Sequence, residues 1–167
     1  MESGKPQSRR ETWRVPVLCA GAAALLVAVL GGLATQIGPW YLSLRQPAWK
    51  PSDLWFGPAW TMIYSLIAAS AARAWVRAPH RTQRLRVVIA YGFNGLLNVA
   101  WSVLFFSLRR PDWALAQVVL LWLSIAALAW WSAQLDRWAG LLLLPYLAWV
   151  SFAAALNAAV VQLNGPF

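Results

Sequence analysis

Charge is almost absent from five stretches of this chain, each close to the 20 or so apolar residues that a helix needs to cross a bilayer. They run over residues 15–36, 58–76, 87–108, 113–135 and 138–163. Of the 167 residues, 60% are hydrophobic and 11% charged, whereas a soluble domain charges about a quarter of its residues to coat its surface. The outward surface must therefore be solvated by lipid. The expected architecture is an all-α membrane protein, a five-transmembrane-helix bundle in residues 15–167 behind a disordered basic tail of residues 1–14. A cleaved signal peptide ending near Gly32-Leu33-Ala34 is the rival reading of the first stretch, but that apolar run is longer than a signal core.

The formal charge of +9 does not point to nucleic acid, which would need a basic stripe on a soluble fold. The basic residues lie between the apolar stretches, where they report topology. Lys5, Arg9, Arg10, Arg14, Arg73, Arg77, Arg81, Arg84, Arg86 and Arg137 fall on one side; Arg45, Lys50, Arg109 and Arg110 fall on the other. Ten against four predicts a cytoplasmic N-terminus in a bacterial cell membrane.

Chemistry is constrained by what is missing. Cys19 and His80 are the only residues of their types, which argues against disulfides, a metal cluster and a catalytic triad. Glu2, Glu11, Asp53, Asp112 and Asp136 all avoid the middle of a span, which argues against proton coupling and against a buried catalytic carboxylate. No resident cofactor and no catalytic residue is expected. No internal repeat is evident, which weakens a transporter built from inverted repeats.

Polar and aromatic residues recur instead at helical spacing. Trp60 and Tyr64 share a face of the second span. Asn94, Asn98, Trp101 and Phe105 form a stripe on the third, and Tyr146, Trp149, Ala153 and Asn157 one on the fifth. Lipid offers an asparagine no partner, so these faces should turn inward. Ordinary packing is the bland explanation, but bulky rings hold helices apart where small residues would let them touch. A space lined by flat rings and a few amides suits a planar, mostly apolar ligand. Residues 38–57 add Pro39, Pro47 and Pro51, which forbid one continuous helix, together with Trp40, Tyr41, Trp49, Trp55 and Phe56. They are expected to form an ordered aromatic loop, either anchoring at the interface or closing over the pocket. Gly21, Ala24, Ala28 and Gly32, with Gly92 and Gly95, are small enough to support helix pairing, including a homodimer. Asp136 and Arg137 alone separate the last two spans, which should form a tight hairpin, and Pro145 should kink the fifth.

Several of these residues fall into an ordered set of motifs. They are Trp40-Tyr41 with Leu44, Pro47-x-Trp49-x-Pro51, Trp60 with Tyr64, and Asn98-x-x-Trp101 before Phe105-Phe106. Gln134-Leu135-Asp136 with Trp138-Ala139-Gly140 follows, then Pro145-Tyr146-x-x-Trp149 and Leu156-Asn157. In this the chain resembles the translocator protein family, also called tryptophan-rich sensory proteins or peripheral-type benzodiazepine receptors. The resemblance implies five membrane helices, usually in a homodimer, with the first loop folded over a porphyrin-binding pocket. The implied function is a tetrapyrrole-binding sensor, regulator or carrier, with light- or oxidant-dependent porphyrin breakdown and porphyrin transport as alternatives. The ligand-binding set expected from stripes and resemblance together is Tyr41, Trp49, Trp60, Tyr64, Asn94, Asn98, Trp101, Phe105, Tyr146, Trp149 and Ala153. Trp60 and Trp149 would stack on the porphyrin. The chain departs from the family at Gln46, where a lysine is usual, and at Ser52, where a proline is usual. It also lacks the aromatic and basic residues that accompany cholesterol binding after Leu156-Asn157, which argues against a sterol role.

Overall fold

A computed structural model of the protein describes residues 11–167, and among these every regular element is helical. The first helix, α1 (Glu11–Ala34), begins inside the stretch expected to be tail; residues 1–10 lie outside the described residues. The remaining elements are α2 (Pro39–Ser43), α3 (Phe56–Arg77), α4 (Arg81–Ser102), α5 (Pro111–Leu135), α6 (Arg137–Leu141) and α7 (Leu144–Asn164). Four helical stretches are long and apolar enough to cross a membrane: Trp13–Ala34, Arg81–Ser107, Pro111–Leu135 and Arg137–Asn164. The fifth long helix, α3, is 22 residues long but carries Thr61, Tyr64, Ser65, Ser70 and Arg73, so composition alone does not mark it as a span.

The long helices close into a ring in which α1 packs on α3 and α4, α4 on α5, α5 on α7, and α7 on α3. The core is aliphatic where α3, α5 and α7 meet, around Ile63, Val118, Leu121, Ile125 and Val150. Helix α1 is peripheral, with Leu18, Leu26, Val29 and Leu33 exposed along its outer face.

Two departures from regular helix shape the ends of the bundle. Helix α4 widens into a π-helical turn at Val103–Ser107, with Leu108 N–H reaching Val103 O at 2.8 Å. Such turns swing side chains off the regular 3.6-residue period and are frequent at functional sites. Arg109 then takes a left-handed conformation (φ 54°), which reverses the chain before Pro111 starts α5. At the opposite end, the expected fifth span is one apolar helical stretch, Arg137–Asn164, interrupted by a turn at Leu142 and Leu143. Pro145 lies in the first turn of α7, because proline lacks the N–H of a continuing helix and crowds the carbonyl four residues back. The short α6 precedes it, pressed so closely on α5 that a Cβ on Gly140 would lie 2.6 Å from Ala129 O.

Asp136 holds that corner together. Its carboxylate accepts from the N–H groups of Trp138 (2.8 Å) and Ala139 (3.1 Å), capping α6. It also takes Arg73 of α3 through both oxygens (3.0 and 2.9 Å), with Arg77 at 3.3 Å. Burial pushes this carboxyl up, but hydrogen bonds from Arg73, the Arg73 charge and the two backbone donors outweigh it and hold the group below its ordinary value. A depressed carboxylate contributes stability that is complete at neutral pH. That contribution is lost as pH falls below about 4, through the lower folded-state value. Thermal unfolding in detergent micelles should therefore lose stability across this acidic range, and Asp136→Asn should flatten that part of the profile while lowering stability at neutral pH.

Candidate functional site

The ring of helices encloses a cavity of about 650 Å³ at the end where residues 38–57 cross the bundle. Proline at residues 39, 47 and 51 breaks those residues into one turn of helix and two tight turns, and contacts at both ends fix them. Asn164, at the end of α7, accepts from Arg45 N (2.7 Å) and donates to Arg45 O (2.9 Å). Asp53 pairs with Lys50 and accepts from Tyr41 Oη at 3.4 Å. Burial works against the Lys50 charge, but the Asp53 bond and the nearby Tyr41 raise its pKa. Trp40 sets its ring edge-on to Phe105 and Tyr41 leans on Phe106, so the loop rests on the π-helical turn.

Beneath the loop, the walls formed by α3, α4 with its π-helical turn, and α7 present aromatic rings. Trp60 stacks on Tyr64 with centroids 5.3 Å apart and meets Trp149 edge-on at 6.4 Å. Trp101 stacks on Phe105 at 5.3 Å and meets Phe106 edge-on. Trp149 is also backed by Phe56 and Phe152. The remaining wall is α1, where Gly31 faces Tyr64 Oη and Ser102 Oγ with room for no more than a small side chain. The cavity is predominantly apolar but has two donors to offer. Gln46 Nε2 and Trp101 Nε1 both belong to lining residues, are buried, and have no hydrogen-bond partner.

The floor is a chain of hydrogen bonds joining three helices. Tyr64 Oη donates to Asn98 Oδ1 (2.8 Å), and Asn98 Nδ2 donates to Tyr146 Oη (3.1 Å). Asn98 and Tyr146 are buried, so each polar group has its partner within the bundle, as a lipid surround demands.

Tyr41, Trp60, Tyr64, Asn98, Trp101, Phe105, Trp149 and Ala153 all line this cavity. Three other residues of the expected set lie elsewhere. Trp49 is 53% exposed and leans on Phe152 from outside, because the turn at Pro47 to Lys50 directs it away from the interior. Asn94 sits one turn too far along α4 and donates to Ser124 Oγ (2.8 Å) on α5. Tyr146 lies below the floor with its hydroxyl on Asn98. Asn157 reaches the cavity, and its amide, oriented to suit its neighbours, donates to Pro111 O and accepts from Leu115 N, both at 3.0 Å. Sequence reasoning missed the α1 wall (Gly31 above all), Gln46, Asp53, Phe56, Ser102 and Phe106 as lining residues. An all-apolar helix carries no polar stripe to mark its inner face. Phe106 escapes helical spacing because the π-helical turn re-aims it.

Of the small residues singled out for helix pairing, Gly95 makes a close contact within the chain, while Gly21, Gly32 and Gly92 face open space. Gly21, Ala24, Ala28 and Gly32 line the cavity. A Cβ on Gly95 would lie 2.9 Å from Val27 on α1.

Asn98→Ala should leave the Tyr64 and Tyr146 hydroxyls without their partner and lower stability by about 1–2 kcal/mol. Removing the exposed Gln134 amide in the same unfolding assay should change little.

A model of the TspO/MBR family matches residues 19–163. The "Tryptophan-rich protein TspO" of Chlorobaculum tepidum is 34% identical over 149 residues, covering 88% of this chain and 94% of that one. The "Tryptophan-rich sensory protein" of Cereibacter sphaeroides is 36% identical over 125 residues, or 75% and 77% of the two chains. The human "Translocator protein" is 35% identical over 128 residues, 75% of each.

Proposed function

The chain belongs to the TspO/MBR family, and on that footing we propose that its loop-covered cavity binds a porphyrin, making the protein a tetrapyrrole-binding membrane sensor, regulator or carrier. The observation that carries the reading is the convergence of Trp60, Trp101 and Trp149 on one apolar cavity of about 650 Å³. A porphyrin offers broad π-faces to such rings. Its carboxylate side chains are acceptors of the kind that the unpartnered donors of Gln46 and Trp101 need. Gln46 thus supplies a neutral donor where the family more often has a cation.

The proposal includes five membrane crossings, with α3 as the additional span. Its 22 residues extend about 33 Å, enough for a bilayer core. Its polar groups are met internally: Thr61 and Ser65 return their hydroxyls to Gly57 O and Thr61 O, Tyr64 bonds Asn98, and Ser70 donates to Ala139 O. The arginine-rich end holding Arg73, Arg77, Arg81, Arg84 and Arg86 would be cytoplasmic, in a bacterial cell membrane, with the N-terminus on the same side. A homodimer is part of the reading, and the exposed apolar face of α1 is surface that either lipid or a second copy would cover.

Titrating purified protein with protoporphyrin IX should quench tryptophan fluorescence with micromolar-range affinity. Trp60→Ala combined with Trp149→Ala should weaken binding at least about tenfold, since each ring removes a stacking face worth roughly 1 kcal/mol or more. Unchanged affinity in the double variant would show that the porphyrin binds elsewhere.

A further inference from the structure

A second cavity, of about 440 Å³, lies on the other side of the Tyr64–Asn98–Tyr146 floor, between α1, α3 and α4. Its character differs from that of the first. Its walls are chiefly aliphatic, with Ala20, Val27, Ala71 and Val88 among them. It extends along α4 from Val87 to Asn98, a length of about 17 Å at the helical rise. Close contact of Gly95 with Val27 narrows it between α1 and α4, whereas Gly92 opens onto free space. A chiefly aliphatic slot of this length takes a hydrocarbon chain lengthwise.

The far end of the slot is basic. Trp75 lines it there, and the Arg84 guanidinium sits over the Trp75 ring at 5.8 Å. Asp136 takes up Arg73 and Arg77, while no described carboxylate pairs with Arg84. Among the described residues, no acidic side chain lines the slot.

We infer that this slot is a lipid site, holding one acyl chain of an anionic membrane lipid with its headgroup against Arg84. The chain is desolvated by the aliphatic walls, and an anionic headgroup at the surface gains from each nearby arginine. The site is distinct from the first cavity, with which it shares Ala24, Tyr64, Ala68 and Asn98 as lining residues.

Native mass spectrometry of the full chain in detergent, titrated with phosphatidylglycerol or with phosphatidylcholine of the same acyl chains, tests this. One phosphatidylglycerol should bind per chain, about fivefold more tightly than phosphatidylcholine, the preference expected from one arginine. Arg84→Gln should abolish that preference. Gly92→Phe, which enters open space, should lower occupancy about tenfold or more, as losing a few buried methylenes requires, without lowering the unfolding temperature. Should Gly92→Phe fail to fold, Ala71→Leu on the facing wall fills the same slot. Equal binding of the two lipids, a preference that survives Arg84→Gln, or undiminished occupancy in the folded cavity-filling variant would each overturn the assignment.

Discussion

The structure depends on one asparagine. In a bundle surrounded by lipid, every polar group has to find its partner inside the protein, and Asn98 answers that demand for three helices at once. It accepts from Tyr64 on α3 and donates to Tyr146 on α7. The same chain of hydrogen bonds is the floor of the aromatic cavity and the roof of the aliphatic one. The interior therefore holds two cavities of different character, one lined largely by rings with two unpartnered donors, the other chiefly by aliphatic side chains and ending near Arg84.

The two ends of the bundle are held by different means, and the means suit their contents. At the arginine-rich end, ionic and hydrogen-bonded contacts converge on Asp136, and Ser70, Tyr91 and Ser132 form a second linked set across α3, α4 and α5. At the loop end the ties are lighter. A pair of hydrogen bonds to Asn164, the Lys50–Asp53 pair and edge contacts with Phe105 and Phe106 keep the loop in place. These are surface and backbone contacts whose loss costs little each, as the proposed ligand site requires of its cover.

Much of this was legible in the sequence, for physical reasons. Charge-free runs locate the long helices because lipid excludes charge, and Asn98, Trp101 and Trp149 declare the inner faces because their groups need partners or space. What stayed hidden depends on contacts that spacing does not encode. Helix α1 has no polar stripe, so Gly31 became visible as a wall only beside Tyr64 and Ser102. The π-helical turn shifts Phe106 off the 3.6-residue period. Tyr146 and Asn94 do point inward as their stripes require, but depth along the helix, which face alone does not report, removes them from the aromatic cavity. The direction of Trp49 is set by a proline turn, which spacing does not encode. Pro145 marks the irregularity in the fifth span, which takes the form of a two-residue turn just before it.

The central claim is that the tryptophan-lined compartment beneath the loop is the ligand site. Determining the structure of the protein bound to protoporphyrin IX in lipid nanodiscs tests it directly. The account predicts porphyrin density between Trp60, Trp101 and Trp149, above the Tyr64–Asn98–Tyr146 layer and under Tyr41. Density confined to the lipid-facing surface of α1, or lying below that layer among Val27, Val88 and Gly92, would contradict it.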